Sequence, residues 1–372
     1  MKDASLYIHI PFCKQACHYC DFHFSTVRST EEKVITAMLN ELRQAAPTWE
    51  TKKMKSLYFG GGTPSILAPS ILEGLIQEAT ALFQWHENVE ITLEANPDDI
   101  TPERLGQWFA MGINRLSIGL QSFNDDELKV MNRAHNAAHS LQCLQWINES
   151  AFTNFTVDLM YGMPGSTVES WQEQLDTLAT FKPPHLSCYA LTVEEKTALH
   201  AKVQKGDIVL PSDEIMVDQF TALRHWAANQ GFVHYELSNF AQTGMHSRHN
   251  SHYWSGSPYL GIGPGAHSFD GKNRFWNISN NTLYASGATP TSEELTATDI
   301  MNERLMVRLR TAAGFRWKDD LFHPLSTTQR DELDKAITAQ TRLGNLCITD
   351  QGFHIPPNRW MESDAIIANL FL

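Results

Sequence analysis

The sequence has few basic residues and lacks any long hydrophobic run. Lysine and arginine number 29 against 42 aspartate and glutamate residues, which gives a net charge of −13. A surface of that charge repels nucleic acids and anionic membranes at long range, so nucleic acid is not an expected partner. No uninterrupted apolar run approaches the roughly 20 residues that a membrane-spanning helix needs. We therefore do not expect an integral membrane protein.

Export signals are also missing from the first residues. The chain enters the apolar run 6–10 without a basic start, an apolar signal segment or a small-residue cleavage site. This indicates a cytoplasmic protein. Hydrophobic residues make up 42% of the 372 positions and charged residues 19%, a balance that is typical of folded globular chains. A chain of this length favours more than one domain.

Cysteine is scarce, and half of it is concentrated near the N-terminus. Of six cysteines, Cys13, Cys17 and Cys20 fall within one short segment. In a reducing compartment such a group indicates a metal site rather than disulfides. The other three stand singly in apolar surroundings and are predicted to be buried, inert thiols. They are Cys143, Cys188 and Cys347.

What the sequence does have is a repeated pattern of strand, loop and helix over roughly its first half. Short β-rich runs alternate with segments of helical spacing, as in βαβ units. Six such units predict an α/β fold with parallel strands, closed into an open, partial (β/α)6 barrel. The strand candidates are 6–10, 56–59, 89–94, 114–119, 153–160 and 185–191.

The pattern changes after residue 200. We predict a helix over 213–230, a loop-rich stretch over 235–281, and then a small, mainly helical, winged-helix-like C-terminal domain. That domain has 9 basic and 12 acidic residues over 290–372, so we do not expect it to bind DNA. Its predicted elements are helices over 297–311, 326–343 and 364–371 and a hairpin of 346–348 with 353–355. The predicted units are 1–235, 236–288 and 289–372.

Polar and glycine residues follow the predicted strands, at the barrel end where chemistry is normally found. The glycines of Gly60–Pro64 let a backbone approach a ligand closely, although a tight turn would also use them. Glu94 ends an apolar strand, so its carboxylate needs a partner such as ribose hydroxyls, a cation or a structural arginine. Three further side chains near the strand ends carry an amide, a guanidinium and a carboxylate group, which are suited to recognising adenosine and a carboxylate. They belong to Gln121, Arg133 and Asp158.

The cysteine spacing, C-x3-C-x2-C, suits a 4Fe-4S cluster. Three thiolates bind three corners of the cubane and leave one iron open, which the amine and carboxylate of S-adenosylmethionine can chelate. The neighbouring aromatic residues Phe12, Tyr19 and Phe22 are predicted to shield the cluster. A Cys3His zinc site with His18 or His23 is the alternative that the ligand types also permit, and free thiols are another.

With these motifs in place, the chain resembles the radical-SAM branch that holds oxygen-independent coproporphyrinogen III oxidase and the haem chaperone HemW family. The matching segments are 7–13, 60–64, 94–97, 119–123, 158–164 and 261–267. The resemblance implies an S-adenosylmethionine pocket formed by Tyr7, Gly61, Gly62, Thr63, Glu94, Gln121, Arg133 and Asp158.

Two features favour the chaperone family over the oxidase. Phe22 stands where the oxidase has a fourth cysteine, which argues against oxidase activity, and the segment 249–254 matches the chaperones' HNxxYW motif. An imidazole binds haem iron, so His249 is the predicted axial ligand, with His252 and His246 as alternatives. Tyr253 and Trp254 are predicted to pack against the macrocycle. A purely structural role for this motif stays open.

The function that the resemblance implies is that of a haem chaperone that transfers haem to an acceptor haemoprotein. Its cofactors would be a 4Fe-4S cluster, S-adenosylmethionine and haem, and an electron donor would reduce the cluster. The alternatives are oxidative decarboxylation of a porphyrinogen and an iron-sulfur protein whose haem motif is vestigial. The glycines between 261 and 265 have the wrong spacing for a dinucleotide loop.

Overall fold

The computed structural model describes residues 2–49, 51–320 and 325–372. Its centre is a run of six parallel strands that lie next to one another in chain order, as the sequence predicts. The strands are β1 Lys2–Ile10, β2 Thr51–Gly61, β3 Trp85–Ala95, β4 Arg115–Gln121, β5 Phe155–Tyr161 and β6 His185–Ala190. The partial (β/α)6 barrel is therefore confirmed, and the first three strands are longer than predicted.

Helices alternate with these strands and cover the outside of the sheet. The first helix illustrates the cause, since Val34, Met38 and Leu42 recur at helical spacing and are buried against the strands. The helices are α1 Glu31–Ala45, α2 Pro69–Leu82, α3 Pro102–Ala110, α4 Asp125–Val130, α5 Ala137–Asn148, α6 Val168–Ala179, α7 Ala198–Gln204 and α8 Asp213–Asn229.

The stretch predicted to be loop-rich extends the sheet at both edges. Two strands continue it antiparallel beyond β6, while another pairs parallel with β1 and starts an antiparallel run. The described residues thus form one twelve-stranded sheet. The added elements are β7 Val233–Glu236, β8 Asn239–Ala241, α9 Arg248–Trp254, β9 Tyr259–Ile262, β10 His267–Phe269, β11 Asn273–Trp276, α10 Asn281–Ala285 and β12 Thr291–Glu294.

The C-terminal region combines helices with a small sheet. Its three short strands pair in the order β13-β15-β14, which includes the predicted hairpin. Cys347 lies in this hairpin with its side chain exposed, so the prediction of a buried thiol was wrong there; edge strands of this kind leave side chains in solvent. The elements are α11 Ala297–Arg308, β13 Phe315–Arg316, α12 Trp317–Asp320, α13 Thr327–Arg342, β14 Cys347–Thr349, β15 Gly352–His354 and α14 Ser363–Ala368.

Successive residues of the central strands face opposite sides of the sheet. On β1, Leu6 and Ile8 are buried in the hydrophobic core, whereas Ser5 and Tyr7 line a cavity on the other side. The inner side of the barrel is therefore polar and aromatic. Among the described residues, no helix is both long and apolar enough to cross a membrane.

Candidate functional site

Two adjoining cavities occupy the inner side of the barrel. The first, of about 570 Å³, contains Cys13, Cys17 and Cys20 and is called here the cysteine cavity. The second, of about 820 Å³, contains His249 and is called here the histidine cavity. The two cavities share three wall residues, Asp21, Phe22 and Tyr189.

The cysteine cavity brings together the three motif cysteines and seven of the eight residues implied for S-adenosylmethionine. The seven residues are Gly61, Gly62, Thr63, Glu94, Gln121, Arg133 and Asp158. Most of them come from the carboxyl ends of β2 to β4 and the loops that follow, Asp158 lies within β5, and Arg133 reaches in from the turn after α4, so the parallel topology assembles most of the set. The eighth, Tyr7, lines the histidine cavity, where its hydroxyl lies 3.1 Å from His9 Nδ1.

The three thiols have surroundings that suit an iron-sulfur cluster. Arg133 donates a hydrogen bond to Cys17 Sγ at 3.2 Å, and Thr63 Oγ1 donates to Cys13 Sγ at 3.4 Å. Hydrogen bonds to cysteine sulfur are a means by which proteins tune such clusters. Burial raises the pKa of Cys13 and of Cys20 to about 11. These thiols therefore need a bound cation to ionise near neutral pH.

Each of the two histidines of the alternative zinc site has one ring nitrogen engaged by a protein oxygen atom. His18 Nδ1 lies 2.8 Å from the carbonyl oxygen of Val130, and His23 Nε2 lies 2.8 Å from Asn281 Oδ1. In the parts of the chain that the structure describes, no group of three or more His, Cys, Asp or Glu side chains could hold a metal ion. The three thiols share the cysteine cavity, whereas neither His18 nor His23 lines it, so the geometry gives no support to a Cys3His zinc site.

The shielding predicted for the aromatic residues holds only in part. Phe12 is completely buried, but 67% of Phe22 is exposed. Phe22 was therefore wrongly predicted to exclude water from the cysteines. It follows the third cysteine in an irregular loop and lies at the border between the two cavities, where no element covers it.

The glycine loop leaves room only for backbone beside the cysteine segment. Gly61 has a φ of 111°, and a Cβ at this position would lie 2.6 Å from the ring of His9. The amide of Gly62 donates to the carbonyl oxygen of Ile10 at 2.8 Å, and that of Thr63 to the carbonyl oxygen of Phe12 at 2.7 Å. The loop is thereby fixed against the segment that leads into the cysteines.

Glu94 accepts hydrogen bonds from Tyr58 Oη at 2.8 Å and from the amide of Gly61 at 3.2 Å. Both donors are uncharged, so among the described residues Glu94 does not form the ion pair with a structural arginine that the sequence left open. Burial, with the nearby Asp158 carboxyl, raises the pKa of Glu94 to about 7. The carboxyl group therefore exchanges its proton near neutral pH and keeps further acceptor sites towards the cavity.

Arg133 lies in the turn between α4 and α5 and points into the cysteine cavity. Besides its bond to Cys17, it donates to Asn96 Oδ1 and to the carbonyl oxygen of Gly119, both at 2.7 Å. Asp158 accepts from Ser117 Oγ at 3.2 Å, and burial raises its pKa to about 6. A fixed guanidinium group among carboxyl groups is suited to a zwitterionic ligand.

The histidine cavity contains the predicted haem motif on a short helix. His249, Tyr253 and Trp254 of α9 line it together with His252. The N-terminus of α9 is tied to β3, because the amide of His249 donates to Glu90 Oε1 at 3.0 Å. Tyr253 and Trp254 make an edge-to-face contact, with ring centroids 5.4 Å apart.

His249, the predicted axial ligand, is held through one of its two ring nitrogens. Its Nδ1 lies 2.8 Å from Ser56 Oγ, which leaves Nε2 as the ring nitrogen for a metal. Burial lowers its pKa to about 3, so the imidazole is neutral at physiological pH. The alternative His252 is held by Ser5 Oγ at 2.8 Å. His246 stacks on Tyr235 at 4.2 Å and lines a different, exposed cavity.

Several residues of the histidine cavity escaped the sequence analysis. Ser56 and Tyr58 on β2 contact His249 but were not predicted to belong to a site. The signal was present, since they alternate with the buried Leu57 and Phe59. Polar residues at every second position of a strand with a buried face indicate an inner cavity wall.

Comparison with known proteins supports this description. The family model for the radical SAM superfamily matches residues 7–178. The coproporphyrinogen III oxidase HemN from Escherichia coli, a radical-SAM enzyme, superposes with a TM-score of 0.84 at 22% identity over 99% of this chain and 90% of its own. At that identity the superposition shows the fold alone. The fold and the cysteine site together define a radical-SAM protein, a class whose cofactors are a 4Fe-4S cluster and S-adenosylmethionine.

The sequence relatives narrow the assignment further. The heme chaperone HemW of Bacillus subtilis is 34% identical over 318 residues, which are 83% of this chain and 84% of the relative. The chain therefore belongs to the heme chaperone HemW family. It is also 38% identical over 265 residues to the mitochondrial radical S-adenosyl methionine domain-containing protein 1 of mouse, of which the match spans 60%.

Proposed function

We propose that this protein is a haem chaperone that holds haem in the histidine cavity and passes it to an acceptor haemoprotein. The observation that carries the proposal is the position of His249 in a cavity of about 820 Å³, with Nδ1 held by Ser56 and Nε2 left as the ring nitrogen for iron. A histidine nitrogen is a common axial ligand of haem iron, aromatic side chains pack against the macrocycle, and cations can pair with the propionates. Tyr58 and Trp254 supply walls, and Arg274, which also pairs with Glu303, is a lining cation.

Cys13, Cys17 and Cys20 would hold the cluster in the cysteine cavity, and Arg133 and Thr63 would orient and stabilise the thiolates. The glycine loop would bind the methionyl amine and Glu94 the ribose hydroxyls of S-adenosylmethionine. When bound and reduced, the cluster would supply a low-potential electron for cleavage of the sulfonium C–S bond of S-adenosylmethionine. An external electron donor is then a required partner.

The proposed binding sites can be assigned to the three predicted units of the chain. We assign the cluster to the barrel unit 1–235 and the haem motif to 236–288, and residues 289–372 form the C-terminal domain. The histidine cavity contains residues of all three, for example Tyr58, His249 and Met306, so haem would contact each unit. The acceptor protein and a cytoplasmic location stay predictions.

The experiment is anaerobic reconstitution of the full chain, followed by a haem titration and a decarboxylation assay with coproporphyrinogen III. We expect a saturable Soret change at one haem per chain and no decarboxylation. Conversion of the porphyrinogen without any Soret change on addition of haem would refute the chaperone assignment and favour the oxidase. Transfer is then measured as the loss of the Soret signal to an added apo-haemoprotein.

A further inference from the structure

Tyr58 lies between the two cavities and contacts a key residue of each. Its hydroxyl donates to Glu94 Oε1 in the cysteine cavity at 2.8 Å. Its ring lies 4.7 Å, centroid to centroid, from the imidazole of His249 in the histidine cavity. On its other side it stacks on Tyr7 at 6.1 Å. One rigid side chain thus joins the two candidate binding sites.

The contacts give Tyr58 little freedom. Its hydroxyl donates to the carboxyl group of Glu94, and its ring is packed between Tyr7 and His249. A protonated phenol in this setting needs an acceptor, because an unpaired buried hydroxyl is costly. The acceptor that the structure provides is Glu94, the group proposed to receive the ribose hydroxyls.

We infer that Tyr58 is a positioning residue that couples the two cavities, so that S-adenosylmethionine bound at Glu94 tightens haem binding at His249. The inference rests on the proposed function. Tyr58 itself need not touch either ligand's reacting atoms, because it acts through the carboxylate on one side and the imidazole on the other.

The direction of the coupling follows from the state of Glu94. Hydroxyl groups that donate to this carboxylate favour its ionised form. An ionised carboxylate accepts the Tyr58 hydroxyl more strongly than a protonated one does. The tyrosine ring is then held firmly against His249, which loses less freedom when it binds iron. By reciprocity, haem must tighten S-adenosylmethionine binding by the same factor.

The test uses the cluster-reconstituted full chain without a reductant, so that S-adenosylmethionine is bound but not cleaved. Ferric haem is titrated with and without saturating S-adenosylmethionine, and the haem Kd is expected to fall about fivefold or more, the usual range for coupled sites. In Tyr58→Phe the ratio of the two Kd values is expected to be close to one. Glu94→Gln, which cannot ionise, should also lose the coupling.

Tyr284→Phe is the matched control, because Tyr284 donates to the buried carboxylate of Glu41 and lines neither cavity. It should keep the wild-type ratio. The inference is overturned if Tyr58→Phe keeps that ratio, if it abolishes haem binding by itself, or if the wild type binds both ligands independently. Absence of haem binding in the wild type would instead remove the proposed function, and the coupling with it.

Discussion

The cysteine cavity and the histidine cavity adjoin each other but are built in different ways. The first collects residues from the ends of consecutive parallel strands and the loops that follow them. The second combines the middles of β1 and β2 with α9 and with segments far along the chain. Topology alone brings the first set together, whereas the second depends on long-range packing of short elements. One barrel thereby supports two sites of different origin.

Burial also acts on the two cavities with opposite consequences. In the cysteine cavity it raises the pKa of Glu94 to about 7 and of Asp158 to about 6, which favours neutral acids. In the histidine cavity it lowers the pKa of His249 to about 3 and of His252 to about 4, which favours neutral imidazoles. Loss of solvation thus has two results. In the cysteine cavity it gives carboxyl groups whose protonation can change when a ligand's hydroxyl groups bind, and in the histidine cavity it gives neutral imidazoles that can bind a metal.

The largest effect is expected when one motif thiol of the cysteine cavity is removed. Cys17→Ser is expected to abolish the cluster, because three ligands are the minimum for this site. Iron and acid-labile sulfide should fall to background while haem binding without S-adenosylmethionine persists. Cys347→Ser, at an exposed cysteine outside both cavities, should leave the cluster content unchanged. Loss of haem binding in Cys17→Ser would show that the cavities are not separate sites.

Replacing the imidazole of His249 tests the histidine cavity. His249→Ala is expected to weaken haem binding at least about tenfold, which corresponds to about 1.4 kcal/mol, and to shift the Soret band. The control is His246→Ala, whose side chain lies outside the histidine cavity and should change the Kd less than about twofold. Cluster content should be equal in both variants. An unchanged Soret spectrum in His249→Ala would assign the axial bond to another group, with His252 next in place.

The pH dependence of S-adenosylmethionine binding distinguishes the two cavities further. Glu94 loses its proton as the pH rises through about 7, and the carboxylate is the better acceptor for ribose hydroxyls. Affinity is therefore expected to rise up to about tenfold between pH 6 and pH 8. Glu94→Gln should bind more weakly and without this rise. A pH profile that is equally steep in the variant would assign the titration to a different group.

The smallest effect is expected for a substitution at Phe22, which lies at the border between the two cavities. Phe22 is mostly exposed, so Phe22→Ala should change the free energy of unfolding by less than about 0.5 kcal/mol. Phe12→Ala, at a fully buried position, should cost about 3–5 kcal/mol. Thermal or urea unfolding of the two variants compares them directly. A large loss in Phe22→Ala would mean that the border is packed more tightly than the structure has it.

The two cavities also differ in how far the sequence predicts them. The six central strands are predictable because each is a short β-rich run followed by special residues such as Gly61 and Glu94. The added strands are only three or four residues long, for example Asn239–Ala241, which is too short for a period to be recognised. The alternation of Tyr58 with the buried Leu57 and Phe59 predicts a cavity wall, but its contacts with Glu94 and His249 are visible only in the folded structure. Cys347 shows that apolar neighbours in sequence do not guarantee burial.

The central claim is that one chain holds a cluster and a haem at the same time in adjoining cavities. The most direct measurement is the haem and acid-labile sulfide content of one anaerobically reconstituted, haem-saturated sample, with unbound material removed. The account predicts one haem together with one 4Fe-4S cluster per chain. Mutually exclusive loading, in which haem displaces the cluster or the cluster prevents haem binding, would contradict it.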